Sequence, residues 1–409
     1  MKNALAGLIV FTLLGAGLLH AQDRDVQPEK GAKLIAWEGQ GVGADFLRAA
    51  AKKFTEATGV PVTVEEVGGM VAMNKLSTDG PAGRGADVFV MPHNSIGDGV
   101  AAGLLMENLV STSRIKKDFV PMVVQAVTYN GKVYGFPCAM ETTALFYNKD
   151  LWKAPPKTFE EIVEFGKTWN NPKKNKYALV FQPDNLYIDY GFMAGAGGYV
   201  FGKNGTDATD LGLNNSATVK ALTAVVGLRP AMLQKAQDIT GDVVSGLFSE
   251  GKASAIIGGP WNIYGLQKAG VNFGIVPLPT LAGITPRPFS GVQVYGTSTY
   301  SKYPTAAQLF AKFLTSDEML LERFRLTDQI PPVSVLLTNS EVTKSSFNQA
   351  FVAQLKNSDP MPAIPEINLV WAPFQTAMSD AWSGKIDVKT AMATASKTIQ
   401  DQIAIQNRK

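Results

Sequence analysis

A chain of 409 residues, 45% of them hydrophobic and with a single cysteine, buries large cores without disulfides, and its length suggests two or three domains. Its net charge of +3 is spread along the sequence; the one local cluster, Lys173, Lys174 and Lys176, reads as a solvated loop, which disfavours nucleic-acid binding. Only His20 and His93 are present, so zinc sites built from several His and Cys ligands are excluded, and any Ser-His-Asp or Cys-His site must use His93 without a G-x-S-x-G elbow to support it.

In chain order, Lys2 precedes an apolar run over 4–19 that gives way to Gln22, Asp23 and Arg24. Residues 1–21 read as a secretory signal peptide, because a true membrane span needs roughly 20 apolar residues with anchoring flanks. No cysteine follows the run, so the expectation is an exported, soluble, periplasmic protein that is not lipid-anchored.

The spacing then predicts a strand over 33–37 and a helix over 44–58, with Phe46, Leu47, Ala50, Phe54 and Ala57 on one face and Gly59 as its stop. A strand over 62–67, a helix over 70–76 and a buried strand over 86–90 follow. This alternation implies a parallel sheet wrapped by helices. The same grammar returns with a helix over 160–169, a strand over 177–181, a helix over 216–228 and a strand over 252–257. Residues 271–297 are strand-rich between prolines, and helices dominate afterwards. One of them opens with Thr315, Ser316, Asp317 and Glu318, read as a capping box in which Thr315 caps and Glu318 reaches back. Late helices without new strands complete the earlier units rather than forming a third domain.

Two segments imitate phosphate loops. Gly39, Gly41 and Ala44 follow a strand and open a helix, with Glu65 downstream, as in a dinucleotide fingerprint. An exported chain leaves the compartment where nicotinamide cofactors are used, so the glycines read as a flexible turn with exposed N–H groups. The stretch 197–203 approaches a P-loop, but Asn204 stands where Ser or Thr must bind magnesium. No cofactor and no metal is expected. Cys138 lies in an apolar segment and reads as a small buried residue. The adjacent acid pairs at 65–66, 160–161 and 317–318 diverge on a strand or helix, so adjacency supplies no acid/base pair across a bond. Catalytic acids are normally distant in sequence, which leaves an exported glycosidase as the enzymatic alternative.

The stretch 130–137 (Asn-Gly-Lys-Val-Tyr-Gly-Phe-Pro), followed by Glu141 and by 145–151 (Leu-Phe-Tyr-Asn-Lys-Asp-Leu), resembles the lobe-crossing segment of family 1 extracellular solute-binding proteins, the maltose-binding type in particular. So do 155–161, 197–199, 259–261, 278–280 and 361–365 with Trp371, in the family's order over nearly the whole chain. The resemblance implies a two-lobed α/β fold of the type II periplasmic-binding class. Lobe I would span 22–139 and 295–342, lobe II 144–289 and 347–409, with hinge crossovers at 140–143, 290–294 and 343–346. It implies a monomer that delivers a maltodextrin-type sugar to the membrane permease subunits of an ABC importer, closes on it by a hinge motion, and does no chemistry. A receptor for another oligosaccharide is the nearest alternative.

By the same resemblance Tyr187, Trp261 and Trp371 occupy aromatic sugar platforms, Glu141 the hydroxyl-binding acid, and Met361 a cleft position. The chemistry agrees: a pyranose face is a patch of C–H groups that packs on a flat ring, and its hydroxyl edge needs acceptors. Trp261 follows two glycines and a proline at a strand end, where residues of an open α/β sheet face the ligand crevice. The chain also departs from the pattern. Met91, Asn94 and Ser95 stand where the best-known maltose binders carry a Trp, an acid and an Arg; Gly41 and Val42 replace an Asp-Lys pair; Gln375 replaces a basic residue. Gln40, Asn94, Asn185 and Gln375 are the residues expected to supply replacement hydrogen bonds.

Overall fold

The computed structural model describes residues 26–232 and 235–406; the expected signal peptide lies outside them. Two sheets organise the chain. In the first, β1 (Leu34–Glu38) pairs in parallel with β2 (Val62–Glu66) and with β3 (Val88–Pro92). Helices α1 (Val42–Thr58) and α2 (Gly69–Asp79) make the crossovers, so the predicted parallel unit is present. α1 buries Ala44, Phe46, Leu47, Ala50, Ala51 and Phe54, and ends at Gly59, whose φ of 75° lets its N–H reach the Thr55 carbonyl. Ala57 is exposed in the last turn, with Ala51 taking a place on the buried face. β3 begins two residues later than its apolar run suggests, because Asp87 ties the edge down. Its carboxylate accepts the Ile35 N–H at 2.7 Å and its own N–H reaches the Ile35 carbonyl.

A small hairpin, β4 (Thr128–Tyr129) and β5 (Lys132–Val133), leads into β6 (Phe136–Thr142). Only Thr143 separates β6, in the first sheet, from β7 (Ala144–Asn148) in the second. The second sheet also holds β8 (Tyr177–Val180), β10 (Ala253–Gly258) and β11 (Phe273–Val276), in the order β11-β7-β10-β8; β9 (Asp207–Leu211) lies outside it. β8 and β10 run parallel, while β7 is antiparallel to both of its neighbours. The chain returns through β12 (Phe289–Thr297), antiparallel to β6 and β3. The two-residue strand β13 (Asp359–Pro360) pairs with the start of β12.

The principal helices after β7 are α3 (Phe159–Trp169), α4 (Leu186–Gly195), α5 (Ser216–Val226), α6 (Pro304–Leu314), α7 (Asp317–Thr327), α8 (Ser346–Leu355), α9 (Trp371–Ser383) and α10 (Val388–Gln406). α6 and α7 pack on the first unit with α1, while α8 packs on β11 and α10 on α5 of the second. The late helices therefore complete the two units. The expected capping box does not form: Ser316, not Thr315, caps α7 by accepting from Met319 N–H, because the Thr315 hydroxyl donates back to Ala311 of the preceding helix. Glu318 lies beside Lys53 of α1 at 3.9 Å. Among the described residues no helix is long and apolar enough to cross a membrane.

Candidate functional site

The site forms where β6 and β12 pass between the sheets. Glu141 stands opposite Gly291 in this ladder and is 8% exposed. Its carboxylate accepts from Gln293 Nε2 at 3.0 Å and from Gln329 Nε2 at 3.4 Å. Burial pushes the acid above its usual range, opposed by the two amides and the nearby Arg323 charge.

Tyr187 approaches from α4. Asn185 caps that helix, its side-chain oxygen accepting the Tyr187 N–H at 3.0 Å while its amide donates to Gln182. The Tyr187 hydroxyl is buried without a partner in the protein. A Cβ at position 291 would stand 3.2 Å from that hydroxyl and 3.9 Å from Glu141, so Gly291 is what leaves room between them. Trp261 lies beside Tyr187, ring centroids 6.2 Å apart and tilted by 55°, and remains 46% exposed. A Cβ on Gly259 would come within 2.2 Å of the indole; the glycine lets the ring fold back over the strand end. Asn262 fixes this turn, accepting the Gly259 N–H at 3.0 Å and donating to Ser245. Two aromatic rings, an orphan hydroxyl and a buried acid thus share one side of the crossing strands.

The other anticipated residues take varied positions. Trp371 is half-buried at the start of α9, and Gln375, one turn on, is exposed. Asn94 is 7% exposed in the turn that ends β3. Gln40 is exposed in the β1–α1 turn. Met361 is 6% exposed and its backbone is committed: its N–H donates to Ser290, and its carbonyl faces His93 Nε2 at 3.1 Å. Met91 is fully buried, so it packs in the core of the first unit and forms no platform.

His93 is structural. Its Nδ1 accepts the Val292 N–H at 3.1 Å, which leaves Nε2–H to donate to Met361, and burial pushes its pKa down to about 4. Both ring nitrogens are engaged, so His93 itself is not free to act as a base. Cys138 is buried, and loss of solvation pushes its thiol up to about 12. The dinucleotide-like turn is occupied by the protein itself: Glu38 accepts the Gly39 N–H at 3.1 Å, and a Cβ on Gly43 would meet the Glu38 side chain at 3.2 Å. A pyrophosphate there would face a carboxylate, and Glu65 is used to hold the Trp37 indole N–H at 2.7 Å. In the P-loop-like stretch Lys203 and Asn204 are left-handed, and the Lys203 ammonium pairs with Asp207 at 2.8 Å. Among the described residues no group of three or more His, Cys, Asp or Glu is placed to hold a metal ion.

Gln293, Gln329 and Arg323 escaped the sequence reading. Gln293 had a signal, a lone amide between Val292 and Val294 in an apolar strand. Gln329 had none, because its meeting with Glu141 spans 188 residues of chain, and Arg323 reaches the acid by hydrogen bonds only through Gln329.

Residues 49–349 match the family model described as bacterial extracellular solute-binding protein. This chain belongs to that family. The chain is 36% identical over 389 residues to the galactooligosaccharide-binding protein of Bacillus subtilis (strain 168), covering 91% of this chain and 90% of the relative. It is 32% identical to the maltodextrin-binding protein of the same organism, with 98% of each covered. A solved cyclo/maltodextrin-binding protein complexed with maltotetraose superposes with a TM-score of 0.78 at 37% identity, covering 91% of this chain and 97% of that one. The two-lobed α/β fold and the solute-binding role expected from the sequence are those of the family.

Proposed function

We propose that this solute-binding protein is the receptor of a carbohydrate ABC importer and that it holds a maltodextrin-type oligosaccharide between its lobes. The observation that carries this is the tilted Tyr187–Trp261 surface beside the buried Glu141. Rings take the C–H face of a pyranose, and the carboxylate takes a hydroxyl donor. To the same site we assign Trp371 and Met361 as bordering residues and Asn94, Asn185, Gln40 and Gln375 as further polar contacts. The names of the relatives support an oligosaccharide, and the maltotetraose complex supports one longer than a disaccharide. In this reading the sugar leaves unaltered: both nitrogens of His93 are engaged, and the buried Glu38 is held by Arg323 and Tyr295. The lobes are 22–139 with 295–342 and 144–289 with 347–409, hinged at 140–143, 290–294 and 343–346. The mature protein works as a soluble, unlipidated periplasmic monomer that presents both lobes to the permease.

A galactooligosaccharide is the second reading, favoured by the 36% identity to the Bacillus subtilis protein of that name. Titration with maltotetraose, a galactotriose, trehalose and sucrose, followed by tryptophan emission, separates the two. A saturable change with maltotetraose at micromolar concentration, roughly −8 kcal/mol, supports the first reading. Saturation by galactotriose alone supports the second. Appearance of shorter sugars on overnight incubation would contradict both.

A further inference from the structure

The acid of the cleft is held by amides, and the amides are themselves aimed. A glutamine can present either its oxygen or its NH2 to a neighbour, and oxygen toward a carboxylate is repulsive. Arg323 removes the choice for Gln329: its Nε donates to Gln329 Oε1 at 2.8 Å, which leaves the NH2 to face Glu141. Arg323 is locked in turn. Its Nη1 donates to Glu38 at 2.9 Å and to the Tyr295 hydroxyl at 2.6 Å, and Tyr295 donates to Glu38 at 2.8 Å. The Arg323 and Glu38 side chains are 3% and 5% exposed, so this ion pair is screened little by solvent. A continuous path of hydrogen bonds therefore joins the β1–α1 turn, through Glu38, Arg323 and Gln329, to Glu141.

The other groups that face Glu141 electrostatically are the Tyr187 hydroxyl from α4 and the Cys138 thiol of its own strand, with the Arg323 and Glu38 charges from α7 and β1. Neither Tyr187 nor Cys138 donates a hydrogen bond to the carboxylate. The charge of Glu141 thus depends on Gln293, Gln329 and the cation behind Gln329.

We propose that Gln293 and Gln329 are positioning residues that keep Glu141 an ionised hydroxyl acceptor, and that Arg323 sets the orientation of Gln329. This rests on the reading of the cleft as a sugar site and adds to it a rule of specificity. With one amide on each carboxylate oxygen, the remaining lone pairs accept donors only, so the ligand must offer a hydroxyl at this point and an acidic sugar is rejected.

The test compares Gln329→Leu, Gln329→Glu and Gln293→Leu with the unaltered protein. The Glu141 carboxyl is titrated by 13C NMR in ligand-free protein, its signal identified by loss in Glu141→Gln, and maltotetraose affinity is followed from pH 4 to 8. Losing a donor to the ionised form raises the acid's pKa, so on acidification the charge disappears at a higher pH. Gln329→Leu is expected to move the Glu141 midpoint up by about one pH unit, and the acid limb of sugar affinity should follow it. Gln293→Leu, which removes the shorter bond, moves it further and reports the same effect should Gln329→Leu fail to fold. Gln329→Glu, matched in shape, also moves it further by placing a second carboxylate against the first. Packing alone predicts the reverse order, with Gln329→Glu silent and Gln329→Leu lowering Tm without touching the titration; that result overturns the proposal. A shifted titration in a protein that binds none of the sugars would leave the positioning role standing and remove the sugar reading. Tight sugar binding with an unmoved titration would do the opposite.

Discussion

The two sheets contribute different chemistry to the proposed site. The side belonging to the second sheet offers rings, Tyr187 and Trp261, held by an Asn185 helix cap and a glycine-proline turn. The side belonging to the first sheet offers a closed polar network, Glu38, Tyr295, Arg323 and Gln329, which ends at Glu141. A ring accepts the face of almost any pyranose, whereas an ionised acid with one amide on each oxygen accepts only a hydroxyl in the right place. In the proposed site, affinity and discrimination therefore come from different groups, and changes to one set should leave the signature of the other intact.

The largest effect is expected at the rings. Trp261→Ala should weaken maltotetraose binding about 30- to 100-fold, from about 2–3 kcal/mol of lost stacking and burial, seen by calorimetry. Its Tm should barely move, because the indole is 46% exposed. Glu141→Gln should cost about 10- to 50-fold, the worth of a charge-assisted hydrogen bond, and flatten the pH dependence of binding. If the ionised acid is the binding form, as proposed, its raised pKa makes affinity fall as pH drops through that raised value. Gly291→Ala, which brings a methyl within 3.2 Å of the Tyr187 hydroxyl, should tilt the ring and cost about tenfold, on the order of 1.4 kcal/mol.

What the sequence disclosed of this division follows its physics. Trp261 was singled out by a local pattern, a Trp after glycines at a strand end, whereas Tyr187 was reached only through the family resemblance. Glu141 was legible as a charge interrupting an apolar run. The network behind it was not, since Arg323 and Gln329 look like ordinary positions of a polar helix and its exit. The same limit explains smaller discrepancies. The helix at 317–327 is capped by Ser316 because the Thr315 hydroxyl already bonds the previous helix. β3 starts late because the Asp87 side chain occupies the edge of β1.

Smaller still in its effect on binding, and a control for the comparison, is Asp189. It is fully buried on α4 with both carboxylate oxygens unpartnered, and burial with the nearby Asp184 charge raises its pKa well above the usual value. An acid whose pKa is raised by folding favours the native state at low pH and loses that contribution as pH climbs from the unfolded value toward the folded one. Asp189→Asn should therefore raise Tm at pH 8 and less so at pH 5, with sugar affinity changed less than about twofold. His93 gives the mirror image. Its depressed pKa of about 4 means that stability declines as pH falls from 6.5, because the unfolded chain takes up the proton first. His93→Gln should remove that slope in thermal melts.

The central claim is the division of labour around Gly291, and a crystal structure with bound maltotetraose tests it most directly. Sugar rings should pack on Tyr187 and Trp261, with a hydroxyl donating to Glu141 while Gln293 and Gln329 keep their amide contacts. A sugar bound elsewhere, or one that leaves Glu141 without a hydroxyl partner, would contradict it.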